Sequence, residues 1–506
     1  MYRCIFGTTS LLTLTALLSA PVFADVTPEE VWQNWQSYGN SFGQKFTAGS
    51  ENREGDTLTI TDLKIEMGQK GEDVSGTIPE VAFRDTGDGK VDITMSEEYL
   101  VTFAMKNAMD KPSTFTLNIA QNGMTMTASG TPDAVSYDFS ADSFELNALD
   151  FTADGKPKEM DIDVTLADVA GTYNVSPGDK INVASTFSAQ SMTLEASGKG
   201  DTDAATFSAS AEMNNLAGGS SSTMPKDAPK GDMTALLALG FTTDASFTYD
   251  SGNLSFEGVD EAGTKTSIDT TSEGGSLKVA LDQSRISYGA TGKTVTISGE
   301  SSALPIPGLS AAYDEATINF SLPMAKAAEP QDFAFETRLQ GLTVSDTIWG
   351  MVDPGKTLPR DPANLVITTT GKATPLVDLI TEDAAAMAGD KAPFQLNAVN
   401  LDALNVSVAG AELTGDGALT FDNTQPPLMG GVAPMPVGKI NVSLTGANTL
   451  LGKLQALGLV DPQIVMTFGM MSGMLAKPGP TPDSLVSEVE FQEGGKILTN
   501  GNPLPF

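Results

Sequence analysis

The chain contains no histidine, and its single cysteine, Cys4, lies in an N-terminal segment that reads as removable. Without imidazole or thiol there is no Ser-His-Asp or Cys-His nucleophile pair, no general base poised near neutral pH, no ordinary zinc site and no disulfide. Basic residues are also scarce, 29 against 64 acidic ones. No apolar run reaches the roughly 20 residues that a bilayer-spanning helix needs. The chemistry left to the chain is that of carboxylates, hydroxyls, lysines and methionines.

Residues 1–24 run from Arg3 through Leu11, Leu12, Leu14, Leu17 and Leu18 to Val22-Phe23-Ala24, a small-x-small pattern followed by Asp25. This predicts a secretory signal peptide cleaved after Ala24 and a periplasmic mature protein. Cys4 precedes the apolar run, so a lipid-anchoring signal is not expected. Cleavage removes Arg3 and no acid, which leaves 28 basic and 64 acidic side chains and a net charge of −36. Such a field repels nucleic acid and anionic surfaces and keeps the chain in solution. With no disulfide available, stability has to come from buried apolar area.

The dominant pattern is period-two alternation closed by turn dipeptides, which predicts a mainly β chain of elongated antiparallel meander sheets curled around an apolar interior. Phe115, Leu117 and Ile119, then Asn122-Gly123, then Met124 and Met126 read as a hairpin. So do Val81 and Phe83, the turn 85–89, and Val91, Ile93 and Met95. Asp416-Gly417 and Gly494-Gly495 read as further turns. Ser129-Gly130, Ser197-Gly198, Ser298-Gly299, Thr370-Gly371, Thr414-Gly415 and Thr445-Gly446 read as strand ends. Three helical regions are expected. Thr27-Pro28-Glu29-Glu30 is a capping box opening an N-terminal helix with Trp32, Trp35 and Phe42. Asp232 opens one over about 232–240. A third covers about 448–476, interrupted at Gly458 and Asp461-Pro462, and its last 14 residues read as a buried or surface-docked helix. Gly218 to Lys230 and Thr424 to Gly438 read as loops. A soft boundary near residue 330 divides a β-rich region 25–330 from a β-rich region with helices, 331–506. Residues 144–151 and 394–401 share a similar octamer, which fits two similar β-rich halves.

Several strings imitate catalytic motifs. Ser287 to Thr294 nearly matches a phosphate-binding loop, yet Val295 and Ile297 alternate like a strand where a helix is required, so it reads as a hairpin turn. Gly39-Asn40-Ser41-Phe42-Gly43 matches a nucleophile elbow but sits in the helical pattern with no histidine to activate Ser41. The acids of 85–88 lack the twelve-residue loop of a calcium site. Met466, Met470, Met471 and Met474 offer thioethers to a soft ion, but core packing or an adaptable apolar groove accounts for them better. The Gly469/Gly473 pair reads as close helix packing. No catalytic, cofactor-binding or metal-ligating residue is assigned, and no cofactor is expected.

The segment Phe335-Glu336-Thr337-Arg338-Leu339-Gln340-Gly341-Leu342-Thr343-Val344-Ser345-Asp346, then Trp349, Asp353-Pro354-Gly355, Leu358-Pro359-Arg360-Asp361-Pro362 and Leu365-Val366-Ile367, resembles an uncharacterised alphaproteobacterial secreted family, DUF2125. The terminal Asn500-Gly501-Asn502-Pro503-Leu504-Pro505 fits as well, and the resemblance covers most of the mature chain. It implies location and length, and it transfers no catalytic residue. Arg360 itself, between two rigid proline turns, reads as a structural guanidinium or an anion contact.

Function is therefore expected to lie in binding. The first expectation is an envelope protein that binds or transfers an apolar or lipidic ligand on a curled sheet. The second is an envelope scaffold or assembly factor with a protein partner. The third is a carboxylate-only glycan hydrolase, which needs two acids facing each other across a cleft.

Overall fold

The structure, a computed structural model, describes residues 25–504 except 42, 70–71, 107–110, 201, 203, 227–232, 305–307, 381–392 and 425–433. The expected signal peptide, Phe42, the capping Asp232 and most of the loop expected at 424–438 lie outside the described residues. Strands take 67% and helices 12% of the chain, so it is mainly β, as the alternation implied. All 28 described strands join one antiparallel sheet in which each pass of the chain pairs with the pass before and the pass after. With about twenty passes spaced by about 4.8 Å, the ladder extends on the order of 90 Å. Both outer edges are unsuited to further pairing. Ser50–Glu54 is short, charged and fully exposed at one, and the two-residue strand Asn502–Pro503 closes the other.

A single device keeps the apolar residues of these long strands on one face. In Met160–Pro177 the apolar positions are Ile162, Val164 and Leu166, and then Val169, Gly171, Tyr173 and Val175. The spacing widens from two to three once, at Ala167-Asp168. The same widening occurs at Thr61-Asp62, Asn214-Asn215, Lys293-Thr294 and Gln340-Gly341. At these places Asp62, Asp168, Asn215, Thr294 and Gly341 take left-handed backbone angles, which aspartate, asparagine and glycine tolerate best. At Asp62, Asp168 and Thr294 the neighbouring strand slips at the same height, so the register survives, while at Gly341 the pairing with Ala363–Pro375 shifts. Ala167 pairs with Ser191 before the slip and Ala170 with Ser188 after it, and Lys293 pairs with Glu315 before Val295 pairs with Tyr313. An unmatched extra residue would move every later side chain to the other face.

Helix α1 (Pro28–Ser41) closes one region of the apolar face. Its capping box forms as expected, with Glu30 Oε2 accepting from the Thr27 amide at 2.9 Å and the Glu30 amide donating to Thr27 Oγ1 at 3.3 Å. Trp32 and Trp35 pack on the fully buried Phe83, with Trp35 edge-on at 5.1 Å, and Val31, Ile60, Val81, Val91 and Ile93 complete the densest core of the molecule. Tyr38 of the same helix reaches the cluster of Val175, Ile181 and Val183 on strands several passes away. One helix touching such distant strands requires the sheet to curl around it. Helix α2 (Met233–Ala238) buries Leu237 at the same end of the strands, where Lys180 Nζ donates to the Gly240 carbonyl at 3.1 Å. Helices α3 (Asp346–Val352), α4 (Ala447–Ala456) and α5 (Pro462–Leu475) stand in connections at the opposite end.

Several expected turns are strand interiors. Asn122-Gly123 does not reverse the chain. Pro112–Asn122 and Thr125–Thr131 both pair with Ala134–Ala153 in the same direction, so the dipeptide is a kink within one long pass. Asp416-Gly417 lies inside Ala411–Asp422, and the turn before that strand is Ala409-Gly410. The phosphate-loop imitation lies within Arg285–Ser301, with strands paired on both sides and no helix after Lys293. Gly218 to Pro225, expected as a loop, is the end of Thr206–Pro225, where Ser185–Ser220 and Ser222–Thr243 hydroxyl pairs supply cross-strand bonds. The hairpins at 85–89 and 494–495 form as expected. The ladder continues across residue 330, since Leu309–Pro323 pairs with Gln331–Val344. The two octamers lie in Ala134–Ala153 and Phe394–Val408, the first in mid-strand and the second at a strand start, so they do not mark equivalent positions.

Glycine inside a strand has a packing reason here. Phe139 lies over Gly171, Phe207 over Gly198, Tyr249 over Gly275 and Phe333 over Gly371, each ring opposite its glycine in the register. This arrangement covers exposed backbone with an aromatic plane. A Cβ at Gly275 or Gly371 would sit 2.6 Å from that ring. Gly275→Ala and Gly371→Ala are therefore expected to lower unfolding stability by about 1–3 kcal/mol. Gly350→Ala in α3, where a Cβ meets open space, should be neutral or gain up to about 1 kcal/mol. Urea unfolding of the three variants checks this; equal effects at all three would refute the ring-over-glycine packing.

Candidate functional site

Beyond the region that α1 covers, long stretches of the apolar face are exposed among the described residues. Following the register from Ser251–Val259, Phe256 pairs with Ile268, Ile268 with Gly299, and Gly299 with Leu309, while Ile297 pairs with Ala311. These residues share one face, and Ile268, Ile297, Leu309 and Ala311 with Leu304 and with Ile348 of α3 line a cavity of about 330 Å³. Ile268 and Ile297 remain 40% and 41% exposed, so they form an open apolar wall. The face continues toward the other strand end through Leu277, Ile318, Leu322 and Phe335, all exposed, beside the Tyr288–Phe320 ring stack at 5.5 Å. Ser185, Ser220, Ser222 and Thr243 form one polar interruption of it.

The opposite face is polar and carries broad troughs. One of about 540 Å³ is lined by Asp244, Lys278, Asn319, Glu336 and Thr370 among others. Its Glu336 accepts from Arg338 at 2.7 Å and Asn319 at 2.9 Å, and these bonds hold its carboxyl below the usual range. The carboxylates of Asp260, Asp282, Asp332 and Glu490 are likewise displaced downward. A glycosidase-type general acid needs displacement upward. Among the described residues, no group of three or more acids is placed to hold a metal ion.

Arg360 lies where the proline turns were expected to aim it, between α3 and the strand Ala363–Pro375. Its guanidinium stacks over Trp349 at 5.6 Å and pairs with Asp346, so it ties the start and middle of α3 to the following turn. Beneath it, Asp353 is fully buried and accepts from the Leu358 amide at 2.7 Å and the Thr357 hydroxyl at 2.9 Å. Burial alone would raise its pKa, but these hydrogen bonds and the nearby Arg360 charge outweigh it and hold the carboxyl below its ordinary value. The structural reading of Arg360 follows, since this lock positions Ile348 on the cavity wall.

The cavity residues were not singled out from the sequence, although each belongs to an alternating run. Only the register shows that Ile268, Ile297 and Leu309 share a face. Of the two readings of the methionine helix, buried or surface-docked, the structure overturns the buried one. Met466, Met470, Met471 and Met474 are exposed, so they do not pack in a core, and nothing lies within 4 Å of a Cβ placed at Gly469 or Gly473. The Gly39–Gly43 string spans the end of α1, as its helical placement implied.

Asp353 supports a pH prediction. Its folded pKa lies below the unfolded value of 3.8, so its contribution is present above that value and is lost as the pH falls through the folded pKa. Asp353→Asn should lower the urea midpoint at neutral pH, and the gap to the natural chain should narrow below about pH 4. A gap that stays constant down to the acid transition would contradict this.

Residues 235–500 match the model of a family described as an uncharacterized protein conserved in bacteria, DUF2125. This is more than half of the chain and less than the span the sequence resemblance implied; it includes the apolar cavity, Arg360 and helices α3 to α5. No curated protein and no solved structure matches the chain. The chain belongs to the DUF2125 family of uncharacterized proteins conserved in bacteria.

Proposed function

We propose that this protein is a periplasmic binding or transfer protein for an apolar, lipid-like ligand of the cell envelope. The observation that carries this reading is the open apolar wall at Ile268, Ile297, Leu304, Leu309, Ala311 and Ile348, continuous with the exposed Leu277, Ile318 and Leu322. Soluble chains rarely leave contiguous apolar surface of this kind in water unless something occupies it. At about 25 cal/mol per Å², covering even 300 Å² of such surface contributes several kcal/mol. Placement in the envelope rests on the signal-like residues 1–24, and a net charge of −35 keeps so open a sheet soluble. The downward-displaced carboxylates favour binding over glycan hydrolysis.

The test is lipid extraction and mass spectrometry of the protein purified from its native envelope, with a fluorescent fatty-acid probe titrated against the delipidated chain. The natural chain should carry extractable lipid and bind the probe. Ile297→Asp, which puts a charge on the wall while sparing the α1 core, should weaken the probe about tenfold or more. Protein free of lipid, with probe affinity unmoved by the variant, would refute the proposal.

A further inference from the structure

Helix α5 is the one long helix whose placement the fold does not account for. It reads Pro-Gln-Ile-Val-Met-Thr-Phe-Gly-Met-Met-Ser-Gly-Met-Leu over Pro462–Leu475, carries no ionisable group, and buries no residue. Val465, Phe468 and Leu475 are half-buried, whereas Ile464, Met466, Met470, Met471 and Met474 are exposed, Met466 by 66%. At 100° per residue these five cover an arc of about 160°, wider than the stripe of an ordinary surface helix. Yet the hairpin is built carefully. Asp461 caps α5 by accepting from the Gln463 amide at 2.7 Å, with Pro462 in the first helical position, and Asp483 accepts from the Asn448 and Thr449 amides to cap α4. Fourteen residues are marginal as an isolated helix in water, and among the described residues the methionine face of α5 has no apolar cover.

We propose that the α4–α5 hairpin docks on the surface of a lipid bilayer. Two observations select a bilayer over a protein groove. The first is charge segregation. In a chain with 64 acids, residues 447–482 hold one, Asp461, with Lys453 and Lys477 on either side. The rest of the protein is repelled by anionic headgroups, and this segment is not. The second is position. The hairpin is inserted between Thr445 and Ser484, which pair directly, at the strand end where Ile268, Ile297 and Ile348 form the apolar cavity. Five strand spacings separate the two, about 25 Å along the sheet edge. This second observation rests on the lipid reading of the cavity. At about 1.5 Å per residue, α5 is some 21 Å long and too short to span hydrocarbon, so it lies in the interface with its methionines and Ile464 among the acyl chains. A bilayer held there faces the open end of the groove.

The experiment is co-flotation of the full mature chain with phosphatidylcholine vesicles, alongside the Met470→Asp/Met474→Asp double variant. Probe binding by the groove and size-exclusion light scattering are measured on both. The natural chain should float, and the variant should lose about tenfold or more in vesicle affinity while its groove still binds the probe and its thermal melt is unchanged. Loss of probe binding with intact flotation would refute the groove reading and leave the docking surface standing. A natural chain that binds the probe but does not float, or a variant that floats equally well, would overturn the docking proposal. A natural dimer that the variant converts to monomers would assign the face to a second copy of the chain and overturn it too.

Discussion

The structure depends on a matched slip in strand register. A sheet of long strands keeps one apolar face only if the alternation never goes out of phase, and strands this long twist too strongly to stay regular. Here long passes take one extra residue, at Asp62, Asp168, Asn215 or Thr294 for example, and the next pass takes one at the same height, whereas from Gln331–Val344 to Ala411–Asp422 the register shifts between neighbours instead. The side chains on either side of the crease therefore stay on one face, and the backbone ladder remains continuous. The crease also adds local bend, which helps the sheet curl. Without it, half of each strand would present its leucines and isoleucines to the polar side.

Everything else uses that face. Near the N-terminus it is closed by α1, whose tryptophans fill the curl over Phe83 and make the largest cluster of buried apolar side chains among the described residues. Farther on, helices α2 to α5 stand at the strand ends. The Arg360–Trp349–Asp346 arrangement, with Asp353 buried beneath it, holds α3 so that Ile348 completes an apolar wall. The sheet thus passes from a packed module into an open groove along a single ladder.

Much of this was legible in the residues. Alternation gave the class, the Thr27/Glu30 box located α1, Gly458 and Asp461-Pro462 located the break between α4 and α5, and the proline turns placed Arg360. The errors have a common physical origin. Asn-Gly, Asp-Gly and Gly-Ser-Ser favour left-handed or flexible backbone wherever they occur, and that preference serves a kink inside a strand as well as a reversal. Asn122-Gly123 and Gly218 to Ser222 were misread because the deciding contacts, to Ala134–Ala153 and to Ser185 and Thr243, come from other strands. One signal was available and went unused: the repeated widening of apolar spacing from two to three at polar pairs such as Thr61-Asp62 and Asn214-Asn215. It marks continuing strands, whereas a turn would reset the pattern. The groove itself was not legible, since its wall gathers residues from Ile268 to Ile348 through register alone. The methionine helix was judged by composition, and composition does not tell a buried helix from one waiting for an external apolar phase.

The central claim is that the apolar face beyond α1 is open in the unliganded chain. Because residues 25–506 contain no cysteine, single cysteines placed there can report on it directly. In delipidated protein, Ile297→Cys and Ile318→Cys should react with a maleimide at rates near that of Thr296→Cys on the exposed polar side, while Ile60→Cys, buried under α1, should be protected. Protection of Ile297→Cys and Ile318→Cys to the level of Ile60→Cys would mean that the face is covered, and would contradict the account.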